Sequence, residues 1–404
     1  MSFRMKQAGI NCTILTRLES MKFEFATATR IIFGPGTIQQ VAPLAAGMGK
    51  RLCIVTGSSA ERAKSILEQL NEQRIEYVTL GVTGEPTIDT AKNGIELARN
   101  AESDFVISIG GGSVIDTGKV IAAMLTNGGQ LEEYLEVVGA GKPLSRPAAP
   151  HIAIPTTAGT GAEVTRNSVL GVPEHKVKVS MRSPLMLPHI AVVDPVLTYS
   201  MPPSVTACTG LDALTQLIEA YTSKNSNPLT DGICREGLRR AGRSLKRAYE
   251  DGGDKIARED MALASLFGGL GLANAKLGAV HGLAGPLGGM IAAGHGAICA
   301  GLLPFVTEAN IRALQNRLPD SKALARYEQT AQLITGRATA QVVDAIKWIY
   351  DICKSLEIQP LAKLGLKQQD LPTVAVKAQK SSSMKGNPIE LTEDELLEIL
   401  KKAT

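Results

Sequence analysis

The chain has five histidines, and two of them, His281 and His295, border one glycine-rich stretch, Gly282 to Gly296. Asp212 lies in a helical pattern that opens Thr209-Gly210-Leu211-Asp212-Ala213-Leu214. Two imidazoles and a carboxylate form the donor set of a borderline divalent metal such as iron or zinc, with the fourth position left to water or substrate. Two ordinary histidines and an aspartate near a helix start satisfy the same pattern, since aspartate is common in first turns for helix reasons alone.

Anion binding is the second chemistry on offer. The apolar run Phe105-Val106-Ile107-Ser108-Ile109 reads as a buried parallel strand and leads into Gly110-Gly111-Gly112-Ser113, with Asp116 three residues on. A helical pattern over Val114 to Leu125 follows. Successive glycines let backbone approach a bulky anion, and a new helix presents free N–H groups at its start. Position 115 is Ile, so this is not the GxGxxG fingerprint. A second short strand, His151-Ile152-Ala153-Ile154, runs into Pro155-Thr156-Thr157-Ala158-Gly159-Thr160-Gly161-Ala162-Glu163-Val164-Thr165. Small hydroxyl residues beside glycines supply hydrogen bonds to ribose and phosphate at little steric cost. Two such loops at the carboxyl ends of two strands point to a dinucleotide crevice.

Such loops need a sheet to hold them. Candidate strands at Arg51–Val55, Tyr77–Leu80, Phe105–Ile109, Ile152–Ile154 and Ile190–Val193 alternate with helical patterns such as Ala60–Asn71 and Thr87–Ala101. This alternation predicts a parallel sheet covered by helices. Arg30–Phe33 and Val177–Val179 read as hairpin or edge pieces. After Met201-Pro202-Pro203 the patterns are long and helical, and the two prolines mark a junction that no helix continues through. The expected architecture is α/β plus all-α. A loose extension occupies residues 1–20, a Rossmann-like dinucleotide-binding domain 21–200, and an all-helical metal and substrate domain 201–404.

Composition narrows the function. A length of 404 residues is long for one core, and 44% apolar with 20% charged residues is the composition of a globular protein. A net charge of +4 without a dense basic block argues against nucleic acid as a partner. No continuous apolar run has the length of a membrane span, and the first twenty residues lack the apolar core of a secretory signal. Six scattered cysteines without a CxxC pair fit reduced thiols in a cytoplasm.

Taken together, these residues resemble the iron-containing, or group III, alcohol dehydrogenases, within the wider superfamily of glycerol dehydrogenases and dehydroquinate synthases. The resemblance runs from about Met21 to the end of the chain. It rests on Gly110-Gly111-Gly112-Ser113 with Asp116, Pro155 to Thr160, Asp194-Pro195 before Met201-Pro202-Pro203, and Gly210-Leu211-Asp212-Ala213-Leu214 with Ile218-Glu219-Ala220-Tyr221. His281, Pro286-Leu287-Gly288-Gly289 and Gly294-His295-Gly296 complete it.

The resemblance implies reversible hydride transfer between NAD(P)H and a small alcohol–carbonyl pair, an alcohol with its aldehyde, ketone or keto acid. It places the pyrophosphate at Gly110 to Ser113 and gives cofactor contacts to Thr156, Thr157, Thr160 and Thr165. Lys178 matches the family's ribose- or phosphate-facing lysine. Asp212, His281 and His295 match three ligands of a site that has an Asp and three His in one branch. The missing histidine is replaced by Gln216, and a further histidine four residues after His281 by Gly285. Two sites therefore remain open: a three-ligand site of the glycerol dehydrogenase kind, and a metal-independent one resembling maleylacetate reductases, with Gln216 hydrogen-bonding the substrate. A dehydroquinate synthase-like lyase would need a cluster of Lys and Arg that the helical half lacks. NAD-preferring members tend to carry Asp at the position of Gly57, so Gly57 and the donor Ser58, with Ser59 and Arg62 close by, point to NADPH as well as NADH. The family resemblance also implies a homo-oligomer, by default a homodimer.

Overall fold

The computed structural model describes residues 22–58 and 61–404. The expected N-terminal extension and Ser59 lie outside them, as does the side chain of Arg62. Strands are β1 (Arg30–Phe33), β2 (Arg51–Gly57), β3 (Glu76–Val82), β4 (Phe105–Gly110), β5 (His151–Pro155), β6 (Asn167–Val172), β7 (Val177–Arg182) and β8 (Ile190–Val193). The first four helices are α1 (Val41–Ala46), α2 (Glu61–Glu72), α3 (Ile88–Asn100) and α4 (Gly112–Thr126).

Six strands form one parallel sheet in the order β1-β8-β5-β4-β2-β3. Every position of β4 is buried, as expected of a strand covered by helices on both faces. Its polar residue, Ser108, meets His151 Nε2 of the adjacent β5 at 2.9 Å. From β2 the chain passes outward to β3, then returns to place β4 on the other side of β2. That reversal puts the ends of β2 and β4, Gly57 and Gly110, beside the crevice where a doubly wound sheet binds nucleotides.

Arg30–Phe33 is the parallel edge strand of this sheet, whereas Val177–Val179 belongs to an antiparallel hairpin with β6. The sequence reading missed β6, because Asn167, Ser168 and Gly171 leave only a short apolar alternation.

From Pro203 onward the fold is helical: α5 (Pro203–Thr222), α6 (Pro228–Glu250), α7 (Lys255–Ala275), α8 (Ala279–Met290), α9 (His295–Arg317), α10 (Lys322–Thr335), α11 (Val342–Ser355), α12 (Leu371–Gln379) and α13 (Glu393–Ala403). α5 is buried along most of its length and is the axis of this half. Among the described residues α9 alone has by itself the length and apolarity of a membrane span, though its apolar residues form no continuous run. Yet 78% of its apolar window is buried within the helical core.

The two halves touch closely. Gly161, in the loop after β5, has φ +59° and lies against Gly269 of α7, with no room for a side chain on either. The β6–β7 hairpin packs on α8, where Gly289 faces the backbone of Lys176 and Val177.

Candidate active site

Three helices converge on one buried point. Asp212, Gln216 and Glu219 stand at i, i+4 and i+7 of α5, on a single helical face. His281 belongs to the first turn of α8, while His295 opens α9 and Cys299 follows one turn later. Asp212 Oδ1 lies 3.4 Å from His281 Nε2 and 3.8 Å from His295 Nε2. Cys299 Sγ lies 3.9 Å and 3.6 Å from the same two nitrogens.

Each group is held from behind. Glu219 Oε2 lies 2.7 Å from His281 Nδ1, which places the proton on Nδ1 and directs the Nε2 lone pair at the cluster. The same carboxylate accepts the Val280 N–H at 2.6 Å, so the negative side chain also satisfies the start of α8. Asn387 Oδ1 accepts the neighbouring Ala279 N–H, which packs the C-terminal segment Met384–Pro388 against the start of α8. Gln216 Nε2 donates to Asp212 Oδ2 and to Gly159 O, each at 3.2 Å. With Oδ2 so engaged, Asp212 Oδ1 is buried with no hydrogen-bond partner.

This orphaned oxygen suits a bound metal. A buried carboxylate oxygen without a donor is costly, and a cation held also by two imidazoles removes the cost. The electrostatics agree. Burial raises the affinity of Asp212 for a proton, but His295 and His281 outweigh it and hold the carboxyl below its usual range. Burial likewise disfavours a charged His281, yet Cys299 and Asp212 raise its pKa well above normal. For His295 the Cys299 sulfur is the main cause of an upward shift, opposed by burial. A field that attracts protons to the imidazoles also attracts a cation to the point they share with Asp212.

In the other half, α4 begins at Gly112 with Gly111 as its cap, and no side chain caps its first N–H groups. A side-chain carbon on Gly112 would come within 2.7 Å of Thr160, and one on Gly110 within 2.5 Å of Val114. The glycine turn and the threonine loop are thus in direct contact. Thr156 N–H donates to Gly110 O at 2.9 Å. Gly57 is half-buried with open space where a side chain would go, and Ser58 is exposed.

Three candidate cofactor residues carry internal bonds. Asp116 accepts the Val169 N–H at 2.9 Å and pairs with Lys119 at 3.0 Å, anchoring β6 to α4. Thr165 is buried, accepts from Lys119 Nζ at 2.8 Å and donates to Ala162 O. Lys178 lies along Gly288 of α8 and pairs with Glu85 at 3.1 Å. Glu85 in turn accepts the His295 N–H at 3.3 Å, so a residue just past β3 reaches the start of α9.

Sequence reasoning missed Cys299, Glu219 as a histidine partner, and Glu85. The i, i+4 spacing of His295 and Cys299 was a local signal for the first. The other two depend on helix packing.

The chain is similar along its length to known proteins. The family model for iron-containing alcohol dehydrogenase matches residues 28–195, and that for the C-terminal part of the Fe-containing alcohol dehydrogenase family matches residues 206–404. The chain belongs to the iron-containing alcohol dehydrogenase family. It is 36% identical over 377 residues to alcohol dehydrogenase 4 of Saccharomyces cerevisiae, covering 92% of this chain and 96% of the relative. It is 35% identical to the 1,3-propanediol dehydrogenase of Klebsiella pneumoniae, covering 94% and 98%. A crystal structure of 1,3-propanediol oxidoreductase superposes with a TM-score of 0.87 at 33% identity, covering 95% of this chain and all of that one. As a member of the iron-containing alcohol dehydrogenases, this protein is an NAD(P)-dependent oxidoreductase of alcohol–carbonyl pairs.

Proposed function

We propose that residues 21–200 hold the nicotinamide cofactor and residues 201–404 the metal and substrate, and that the enzyme interconverts a small alcohol with its aldehyde or keto-acid partner. One observation carries this reading. The orphaned Asp212 Oδ1 and two imidazoles converge on one point, and Gln216 and Glu85 tie that cluster by hydrogen bonds to the loop after β5 and the segment after β3.

Gly110, Gly111, Gly112 and Ser113 bind the pyrophosphate through backbone N–H groups at the start of α4. Thr156, Thr157 and Thr160 line its other side. Lys178 meets the ribose, while Asp116 and Thr165 act from behind by fixing α4 against β6. Asp212, His281 and His295 hold a divalent metal, which when bound supplies Lewis-acid polarisation of the substrate oxygen. Gln216 orients Asp212 through its amide N–H.

Two openings favour a small substrate. The His295 side chain is 32% exposed, unlike the enclosed His281 and Asp212, and so marks the open face of the cluster. One turn beyond His281, a side chain at Gly285 would meet nothing within 4 Å. At the other end of the crevice, Gly57 puts no carboxylate where a 2′-phosphate would lie, so NADPH serves at least as well as NADH. The enzyme acts as a cytoplasmic homodimer.

The test is oxidation of NADPH and NADH with a panel of small aldehydes and keto acids, using chelator-treated protein before and after Fe²⁺ or Zn²⁺ is restored. Activity that returns only with metal is the expected result. Undiminished activity in demetallated protein would refute the metal role of Asp212, His281 and His295.

A further inference from the structure

We propose that Cys299 is the fourth protein ligand of this site, a thiolate standing in for the imidazole that Gln216 replaces. The inference rests on the three-ligand reading above and extends it.

Three observations carry it. Gln216 is fixed by its amide nitrogen, which is spent on Asp212 Oδ2 and Gly159 O, while its Oε1 lies against Gly268 of α7, buried without a hydrogen-bond partner. Cys299 occupies the cluster instead. It is fully buried, and its sulfur lies within 4.8 Å of every one of the Asp212, His281 and His295 donor atoms.

The spacing of the donors is the second observation. Ligand bonds of about 2.0–2.3 Å in a tetrahedral set put neighbouring donors roughly 3.3–3.6 Å apart. The measured separations are 3.4 Å and 3.8 Å from Asp212 Oδ1 to the two imidazoles, and 3.9 Å and 3.6 Å from Cys299 Sγ to the same atoms. Both sets differ by only a few tenths of an ångström. A thiol hydrogen bond explains less, because one S–H donates to one nitrogen and leaves the other unexplained.

The third observation is the orphaned Asp212 Oδ1, buried and directed at this same point. A thiolate is a softer donor than imidazole, so the exchange would bias the site towards zinc over iron, and the substrate oxygen would enter as an additional, fifth ligand.

The experiment reconstitutes demetallated enzyme with Co²⁺ and records metal content and the absorption spectrum. Wild type is expected to bind cobalt stoichiometrically and to show an intense thiolate-to-cobalt charge-transfer band in the near ultraviolet. Cys299→Ser should still bind cobalt but lose that band, with affinity reduced by roughly 10–100-fold or more, the scale seen even for a lost outer-sphere partner. Cys208→Ser, which alters a cysteine of α5 outside the cluster, should keep the band. Cobalt bound without the band in wild type, or a band that survives Cys299→Ser, overturns the cysteine ligand while leaving the three-ligand reading intact. No cobalt binding at all, with wild type and Asp212→Ala alike, overturns both.

Discussion

Asp212 and Glu163 are both about 1% exposed, and each has a carboxylate oxygen with no hydrogen-bond partner. Their proton affinities move in opposite directions. Burial raises both, but at Asp212 two imidazoles reverse the effect, whereas at Glu163 the opposing influences, its own backbone N–H and Lys119, are too weak. The Glu163 carboxyl is pushed up to about 7. An orphaned buried oxygen is therefore no sign of a site by itself. Convergence of other donors on the same point is what separates Asp212, the proposed ligand, from Glu163.

The largest effect should come from breaking that convergence. Asp212→Ala removes the carboxylate from the donor set and leaves Glu219, behind His281, as the counter-charge of that imidazole. A fall in kcat/KM of about 10⁴-fold, or about 5 kcal/mol, is expected from lost Lewis-acid catalysis. NADPH affinity, followed by quenching of its fluorescence, should change little. Equal loss of cofactor affinity would show that the two regions are not separable in this way.

The opposite lesion is Gly112→Val, which drives a branched side chain into Thr160 at the turn between α4 and the threonine loop. Overpacking of this kind costs about 1–3 kcal/mol where the neighbours yield, and here the backbone donors move as well. Cofactor affinity should fall by roughly 10–10²-fold on that scale. Metal content, measured by elemental analysis, should remain that of wild type. Loss of metal together with cofactor would sink the distinction.

This pair of variants also marks what could be read from the chain alone. The glycine turn was legible because its requirement is local: strand, tight turn and helix start are consecutive, and a side chain at Gly110 collides with Val114, four residues on. Asp212, His281 and His295 were legible as residue types. Their meeting depends on how α5, α8 and α9 pack, which no spacing in the sequence encodes. For the same reason Glu219 and Glu85 gave no signal. Asp116 shows the converse, since the motif marked it as part of the nucleotide turn while its carboxylate is engaged by Val169 and Lys119. Strand β6 was lost because its polar residues fall on a hairpin whose partner, not its own pattern, defines it.

Glu163 gives the comparison a pH signature. Below pH 4.5 the carboxyl is protonated in folded and unfolded chains alike, and it adds no cost. Between 4.5 and about 7 the unfolded chain releases the proton first, so stability falls as pH rises; above about 7 the penalty is complete. Its size is on the order of 3 kcal/mol. Glu163→Gln should therefore gain stability relative to wild type across that window, read as the change in denaturant midpoint between pH 5 and 8. A difference between the two proteins that stays constant with pH would mean that Glu163 is ionised in the fold, as Asp212 is.

The smallest effect lies furthest from the metal and concerns a carboxylate that is missing. Gly57 ends β2 beside the switch point, and a side chain there would meet nothing within 4 Å. Gly57→Asp should therefore be accommodated without disturbing the strand, which makes its consequence electrostatic rather than steric. A carboxylate at this place accepts hydrogen bonds from the adenosine ribose of NADH and repels the 2′-phosphate of NADPH. The position is partly open to solvent, so screening keeps the interaction modest, and a shift of about tenfold in the ratio of kcat/KM values towards NADH is expected. The shift should shrink as salt is raised, because a charge effect is screened and a steric one is not. Loss of activity with both cofactors to the same extent would mean that the open space at Gly57 is filled on binding, and that the glycine is there for room rather than for charge.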